Sequence, residues 1–164
     1  RANNGIIHAV SSVIPLPSLV TFVTADANLS NLTAALTRKD LSVDFVTTLS
    51  SKNGMSSAPF TVFAPTDQAF IDLLVELGIQ SLSDIDEPTL KATLNHHLIE
   101  DTNALSTDLS DNLQLNTLGG PITANITGGA TITDGNNRIS KIIAVDIQAT
   151  NGVIHVIDKV ILPN

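Results

Sequence analysis

The sequence feature that most limits the possible folds is an internal repeat. Residues 4–14 (NGIIHAVSSVI) match residues 151–161 (NGVIHVIDKVI) at an offset of 147 residues, and six of the paired positions are identical. A fixed period of this kind indicates repeated structural units. We therefore predict one complete domain over residues 17–164, and we interpret residues 1–16 as the end of a preceding domain followed by a linker. Chance similarity between two apolar strands is the alternative explanation.

Composition narrows the possible partners and sites. The formal net charge is −8, which argues against binding to nucleic acid or anionic membranes, because both are bound by basic patches. Tyr and Trp are absent, so aromatic stacking platforms for sugars or single strands are not expected. Cys is absent as well, which excludes disulfides, thiolate metal sites and thiol catalysis. No apolar run reaches the length of about 18 residues that spans a membrane.

The first part of residues 17–164 has short helical patterns. Ser18 is a candidate N-cap for one helix and Asn28 for a second, in which Leu29, Leu32 and Leu36 would share a face. Residues 41–49 are predicted to form a third short helix.

An apolar strand followed by a helix is predicted next. Residues 60–64 form the strand, which Pro65 ends. Thr66 can cap the following helix, and Asp67 lies in its first turn, where a negative charge suits the helix dipole. Gly78 is the natural C-terminal stop of this helix.

The last part of the sequence changes from helical to strand-like patterns. Pro88 fits the first turn of a helix that we expect to continue through His97 and Leu98. After it, alternating apolar residues and turn signals predict five short strands, over residues 113–118, 122–126, 130–133, 139–147 and 153–157. Helices followed by a strand-rich half, with one early strand joining the sheet, predict an α+β fold.

Three segments resemble the motifs of the fasciclin-type adhesion domain. Residues 61–70 (TVFAPTDQAF) resemble its first motif, T-x-F-A-P-[TS]-[ND]-x-A-F, and residues 151–162 (NGVIHVIDKVIL) resemble its second motif. Residues 90–99 lie where the family has its Tyr-His segment. The resemblance covers about residues 17–164 and implies a structural role for the motif residues Thr61, Phe63, Pro65, Thr66, Asp67, Phe70, Asn151, Gly152, His155 and Asp158.

The resemblance implies a fold, a function and a location. It implies a wedge-like β-sandwich flanked by several short helices, and one unit of a tandem array. It implies a non-catalytic module for cell adhesion or matrix attachment through protein or glycan contacts, located extracellularly, at the cell surface or in the periplasm. The Cys-free, acidic, Thr-rich composition is more typical of a bacterial than of an animal member.

One departure from the family lies in the segment that is expected to contact a partner. His96 replaces the Tyr of the Tyr-His pair, and His97 keeps its His. In animal members this segment has been linked to integrin binding, so the replacement argues against that partner here. The candidate partner-binding residues are His96, His97, Leu98 and Ile99.

Neither metal nor catalytic chemistry is indicated. His97 and His155 lie on apolar faces and are predicted to be structural core residues. Adjacent side chains such as His96 and His97 would point about 100° apart on a helix, whereas zinc needs three or four converging ligands. No nucleophile or phosphate-binding motif is present. We therefore expect no enzyme activity, no metal and no cofactor.

Two further patterns have simple interpretations. Acidic residues are concentrated between Asp67 and Asp111, which indicates a solvated face; weak binding of a divalent cation or a basic partner is the alternative. Asn28, Asn31 and Asn125 lie in N-x-[ST] sequons, which arise easily by chance in a Thr- and Asn-rich sequence.

The main alternative function is an envelope domain that binds a small ligand or a polysaccharide, which would need a concave pocket with converging polar groups. A dimer through residues 4–14 is a further expectation, because an unpaired apolar strand tends to add to a sheet edge.

Overall fold

The computed structural model describes residues 6, 8, 16–51, 54 and 57–163. The predicted strand over residues 4–14 therefore lies largely outside the described residues. The helices are α1 (Leu19–Ala25), α2 (Ser30–Leu36), α3 (Phe45–Leu49), α4 (Asp67–Leu77) and α5 (Glu87–Asn95), and short 3-10 turns cover Ala27–Leu29, Leu82–Asp84 and Ser106–Asp108. The strands are β1 (Phe60–Pro65), β2 (Leu98–Ile99), β3 (Leu113–Thr117), β4 (Gly120–Asn125), β5 (Thr131–Thr133), β6 (Ile139–Ala149) and β7 (Gly152–Ile157).

Side-chain caps start several of these helices. The hydroxyl of Ser18 accepts a hydrogen bond from the N–H of Thr21 at the start of α1, and Thr66 accepts from Ala69 at the start of α4. Gly78 ends α4 in the left-handed conformation, at φ 68°. These three predictions are confirmed, because each depends on local geometry that the sequence specifies directly.

The prediction that Asn28 caps the second helix is wrong. The carboxylate of Asp26 accepts hydrogen bonds from both the backbone and the side chain of Asn28, and so caps the 3-10 turn Ala27–Leu29. Helix α2 then begins at Ser30 without a side-chain cap. An ionised carboxylate is a stronger acceptor than an amide, and α2 starts one residue later than predicted.

The prediction that α5 continues through His97 and Leu98 is also wrong. The Nδ1 atoms of His96 and His97 lie 2.9 Å and 2.7 Å from the carbonyl oxygens of Ala92 and Thr93. The N–H of His97 bonds to the carbonyl of Leu94, one residue closer than in an α-helix. This tightened turn ends the helix, and residues 98–99 become strand β2 instead.

The seven strands form one sheet in the order β2-β1-β7-β6-β5-β4-β3, with β1 parallel to β7 and every other pair antiparallel. After β3, the N–H of Leu118 donates to the carbonyl of Leu98 in β2, at 2.9 Å. The last strand of the sheet thus returns to the first, and the sheet rolls into a wedge. The predicted α+β class and the wedge flanked by short helices are confirmed.

The core has two layers, one on each side of β1. Phe60 and Val62 belong to the apolar cluster beneath the helices, and Phe63 belongs to a second cluster enclosed by the rolled sheet. All six residues of β1 are buried. A strand buried on both faces reads as a continuous apolar run, which is why this segment is so distinct in the sequence.

Two irregularities shape β6, the middle strand in the order of the sheet. Strand β6 has register shifts between Ile142 and Ala144 and between Ala144 and Ile147, and Asp146 adopts φ 58°.

None of the helices within the described ranges is long and apolar enough to cross a membrane.

Candidate functional site

The second motif begins with a buried polar junction at Asn151. Its side-chain oxygen accepts a hydrogen bond from the N–H of Leu19, and its amide donates to the carbonyls of Leu49 and Ser51, at 2.7 Å and 2.9 Å. One side chain therefore joins α1 and the end of α3 to the start of β7. The next residue, Gly152, has no room for a side chain, since a Cβ there would lie 2.2 Å from the carbonyl oxygen of Phe60.

The two motifs meet where β1 pairs with β7. Phe63 lies opposite His155, and their rings stack with centroids 5.7 Å apart. His155 Nε2 lies 2.9 Å from the carbonyl oxygen of Ala104, so this nitrogen carries the proton. The hydroxyl of Thr61 donates to the carbonyl of Thr102 and accepts from the N–H of Ala104. These buried contacts hold the segment that follows β2 against the sheet.

The remaining first-motif residues attach α4 to its neighbours. Pro65, the last residue of β1, is buried, and Thr66 caps α4. Asp67 accepts hydrogen bonds from the hydroxyl of Ser30 at 2.5 Å and from the N–H of Asn31 at 2.7 Å. Phe70 is buried in the helical cluster. All of these motif side chains act within the fold.

The four candidate partner-binding residues are His96, His97, Leu98 and Ile99, and all four are buried. The His96 ring packs against Gly119, where a Cβ would lie 2.0 Å from Nδ1. Partner binding through these residues stays a prediction, and their burial means that a partner could touch the side chains only after the segment opened.

His97 is held in one neutral tautomer. Its Nδ1–H donates to the carbonyl of Thr93, and its Nε2 accepts the N–H of Ile161 at 3.0 Å. Burial lowers the pKa of His97 from 6.5 to about 4, because the charged imidazolium would be desolvated. Both ring nitrogens therefore support the fold, which is the structural role that the sequence predicts.

The C-terminal segment is held by two aspartates. Asp158 accepts the N–H of Lys141 at 2.7 Å. The buried carboxylate of Asp134 accepts the N–H groups of Asn136, Arg138 and Leu162. Residues 134–137 lie between the predicted strands over 130–133 and 139–147, and the sequence analysis gave Asp134 no role. The Asp-Gly-Asn-Asn sequence gives the turn, but nothing local predicts the distant N–H of Leu162.

Asp146 is a second aspartate that the sequence analysis missed. Its carboxylate accepts the hydroxyl and the N–H of Ser106, at 2.5 Å and 2.7 Å. These two hydrogen bonds, led by that from the hydroxyl, lower the pKa of Asp146. The contact fastens the Ser106–Asp108 turn to the irregular part of β6.

Exposed apolar side chains lie along β6. Ile139 is 55% exposed, Ile143 56% and Val145 42%; together they are called the β6 face below. Beside Ile143 lies an open groove of about 510 Å³, with Ile147 and Val156 on its apolar side and residues 66–68, at the start of α4, on its polar side. Clustered exposed apolar side chains are typical of binding sites, and the exposed Lys141 lies among these three.

Within the described ranges, no group of three or more His, Asp or Glu side chains could hold a metal ion. The described histidines of the domain donate to backbone carbonyls instead. The expectation of no metal and no catalysis stays a prediction.

Comparison with known proteins identifies relatives across the domain. The sequence model of the Fasciclin domain family matches residues 27–163. An uncharacterized protein of Synechocystis sp. is 34% identical over 151 residues, which cover 90% of this chain and 98% of that protein. Human periostin is 28% identical over 166 residues, which cover 99% of this chain but only 18% of periostin.

A solved structure shares the fold. A FAS1 domain pair from the insect cell adhesion molecule Fasciclin I superposes with a TM-score of 0.67 at 20% identity. The match covers 90% of this chain and 51% of the pair, so this chain spans about half of that structure.

Proposed function

Since this chain belongs to the fasciclin domain family, we propose that it is a non-catalytic adhesion module that acts outside the cytoplasm, in the periplasm, at the cell surface or in the extracellular matrix. Its partner is a protein or glycan of that environment. The relatives support this assignment, because Fasciclin I is by name a cell adhesion molecule.

The proposal rests on the exposure of the β6 face. Its three aliphatic side chains are 42–56% exposed on strand β6 rather than on a loop. Full burial of one such side chain contributes about 1.5–3 kcal/mol, so a partner that covers the remaining exposed part of all three gains several kcal/mol. The motif residues are occupied by internal contacts, and this leaves the β6 face as the more accessible surface.

A bead-attachment assay tests both the function and the surface. Beads coated with the protein are placed on cells or matrix of the source organism, and attached beads are counted after washing. We expect I143S/V145S to reduce attachment severalfold. Leu118→Ser is the matched control, since Leu118 is 41% exposed and lies in the turn between β3 and β4 rather than on β6.

Two outcomes would reject different parts of the proposal. Equal attachment by I143S/V145S and the unchanged protein would remove the β6 face as the contact surface. Attachment of the unchanged protein no better than that of uncoated beads would remove the adhesion function itself.

The groove beside Ile143 favours a second candidate, an envelope domain that binds a small ligand. Its volume of about 510 Å³ lies within the range of small-molecule sites. Thermal unfolding with a panel of oligosaccharides and amphiphiles tests this function. A Tm increase that depends on ligand concentration, and that is lost when Ile147→Trp fills the groove, would support it; no Tm change with any compound would exclude those ligand classes.

A further inference from the structure

The groove beside Ile143 has two walls of opposite character. The side chains of Ile143, Ile147 and Val156 form its aliphatic wall. The polar wall includes the carboxylates of Asp26 and Asp67. Among the described residues, the lining contains no lysine and no arginine. The groove therefore offers negative charge directly next to an apolar surface.

Neutral donors hold both carboxylates in place. Asp26 Oδ1 accepts the N–H and the side-chain amide of Asn28, at 2.9 Å and 3.1 Å. Asp67 accepts the hydroxyl of Ser30 and the N–H of Asn31. Within the described part of the chain, Asp26 Oδ2 accepts no hydrogen bond, so it is open to a donor from outside. These contacts fix the carboxylates without neutralising them.

The ion pairs of the described residues lie elsewhere. They are formed by Arg38 and Arg138, and neither arginine lines the groove. Asp26 and Asp67 therefore have no ion-pair partner among the residues that the structure describes. Beside an aliphatic wall the effective dielectric constant is lower than in open water, so these charges attract a cation more strongly there.

We infer that the groove beside Ile143 binds a lysine or arginine side chain of a protein partner that covers the β6 face. This inference rests on the proposed adhesion function, and it narrows the partner from a protein or glycan to a protein with a basic residue at the contact.

The chemistry of a basic side chain matches the two walls. Lysine and arginine have an apolar stem and a cationic head, and they bury the stem along apolar surface while the head stays in polar surroundings. In this groove the stem would lie along Ile147 and Val156, and the head would reach Asp26 and Asp67. A groove of about 510 Å³ has room for such a side chain together with part of its backbone.

The surroundings of the groove favour a protein over the other occupants. Ile143 belongs both to the groove and to the β6 face, so a partner on that face meets the groove directly. A small ligand is usually enclosed over most of its surface, whereas this groove is open. A second copy of the chain carries the same net charge of −8 and is repelled, while a basic protein is attracted over a distance.

A fluorescent peptide provides the test. The chain has no Trp and no Tyr, so a single tryptophan in a probe peptide is the only source of indole emission. The probe is an amphipathic peptide of leucine and lysine with one tryptophan, and in the comparison peptide glutamate replaces each lysine. We expect the lysine peptide to bind with a blue shift of its emission and with an affinity that falls as salt is added. The glutamate peptide should not bind.

Two double variants with the same change of net charge locate the binding site. D26N/D67N removes the carboxylates of the groove and should weaken binding of the lysine peptide about tenfold or more, the loss expected for a charge-assisted hydrogen bond. D72N/D101N removes two exposed carboxylates outside the groove and should change the affinity less than twofold. The Tm of each variant is measured first. If D26N/D67N does not fold, Asp26→Asn is compared with Asp101→Asn.

Three results would overturn the inference. Equal affinity of the two double variants would mean that the overall negative charge, and not the groove, attracts the peptide. Equally tight binding of the glutamate peptide would mean that apolar contact alone is sufficient. A dimer of the unchanged chain that I143S/V145S abolishes in gel filtration would mean that a second copy covers the groove.

Bead attachment separates this inference from the adhesion function. Peptide binding that depends on Asp26 and Asp67, together with no attachment of coated beads, would reject adhesion and support the basic-residue groove. Normal attachment of beads coated with D26N/D67N, together with no peptide binding by the unchanged protein, would keep adhesion and reject the groove.

Discussion

Acidification from pH 7 to pH 4.5 should destabilise the fold through one residue, His97. Its Nε2 accepts the N–H of Ile161 and its Nδ1–H donates to Thr93, so the neutral ring satisfies both partners. A proton added at Nε2 would remove that acceptor and place an unpaired charge in the core. The domain must therefore unfold, at least locally, before His97 can take up the proton.

The magnitude follows from the pKa difference. The folded-state pKa is about 4, against 6.5 for an unperturbed histidine. Because the folded pKa is the lower one, the unfolded chain binds more protons, so the stability is fully present above pH 6.5 and is lost as the pH falls toward 4. One proton contributes about 1.4 kcal/mol per pH unit. The loss should reach about 2 kcal/mol at pH 5 and about 3 kcal/mol near pH 4.

Urea unfolding at several pH values measures this loss. We expect the free energy of unfolding to fall with a slope of about one proton between pH 6 and 4.5. Hydrogen bonds from Thr47, Thr89 and Thr127 lower the pKa values of Asp44, Asp86 and Asp111, so most of their contribution is lost only as the pH falls through their ordinary value of 3.8. The backbone N–H of Ser42 lowers the pKa of Glu87 in the same way, and that contribution starts to be lost near 4.5.

Variants separate His97 from the other histidines. His97→Gln should be less stable at pH 7 and should lose most of the slope. His8→Gln should keep the slope, since His8 is exposed. If His97→Gln does not fold, the protonation of the His97 ring is followed instead by NMR titration of the unchanged protein. A pH-independent free energy of unfolding from pH 7 to 4.5, or a ring that titrates near 6.5, would refute the reasoning.

The remaining predictions concern stability and assembly. Phe70→Ala should lower the free energy of unfolding by about 3–5 kcal/mol, because it leaves a cavity in the helical cluster; an unchanged Tm would contradict this. Gly152→Ala should destabilise the domain strongly, because the added Cβ meets the Phe60 carbonyl oxygen, and thermal unfolding would detect it. Deletion of residues 1–16 should keep the Tm of the domain and give a monomer by gel filtration; loss of folding would move the domain boundary. EDTA should leave the Tm unchanged, since no metal is expected, and a lower Tm would reveal a required ion.

Local sequence signals predicted the strand–helix unit around the first motif well. The continuous apolar run of β1, the cap at Thr66 and the stop at Gly78 depend on neighbouring residues, and the structure has all three. The end of α5 was missed because the rings of His96 and His97 bind carbonyls of the preceding turn. That competition depends on rotamers, which periodicity does not show.

The candidate site was less predictable for a different reason. Residues 96–99 are part of a recognisable motif, and the sequence alone does not separate a motif kept for binding from one kept for packing. The structure places these residues in the core. The exposure of the β6 face arises from how the irregular strand β6 pairs with β7 and β5, and this long-range register has no signal in the local pattern.

The position of β7 also has a consequence for how the chain is made. β7 lies between β1 and β6, and its pairing with β1 joins Phe63 to His155, two residues far apart in sequence. Strand β1 leaves the ribosome early, but its parallel neighbour is the last strand to be synthesised. The helices can form during synthesis, whereas the sheet cannot close until residue 157 has emerged. Non-local strand pairing slows folding, so β1 stays without its parallel neighbour until the C-terminal end of the domain has been made.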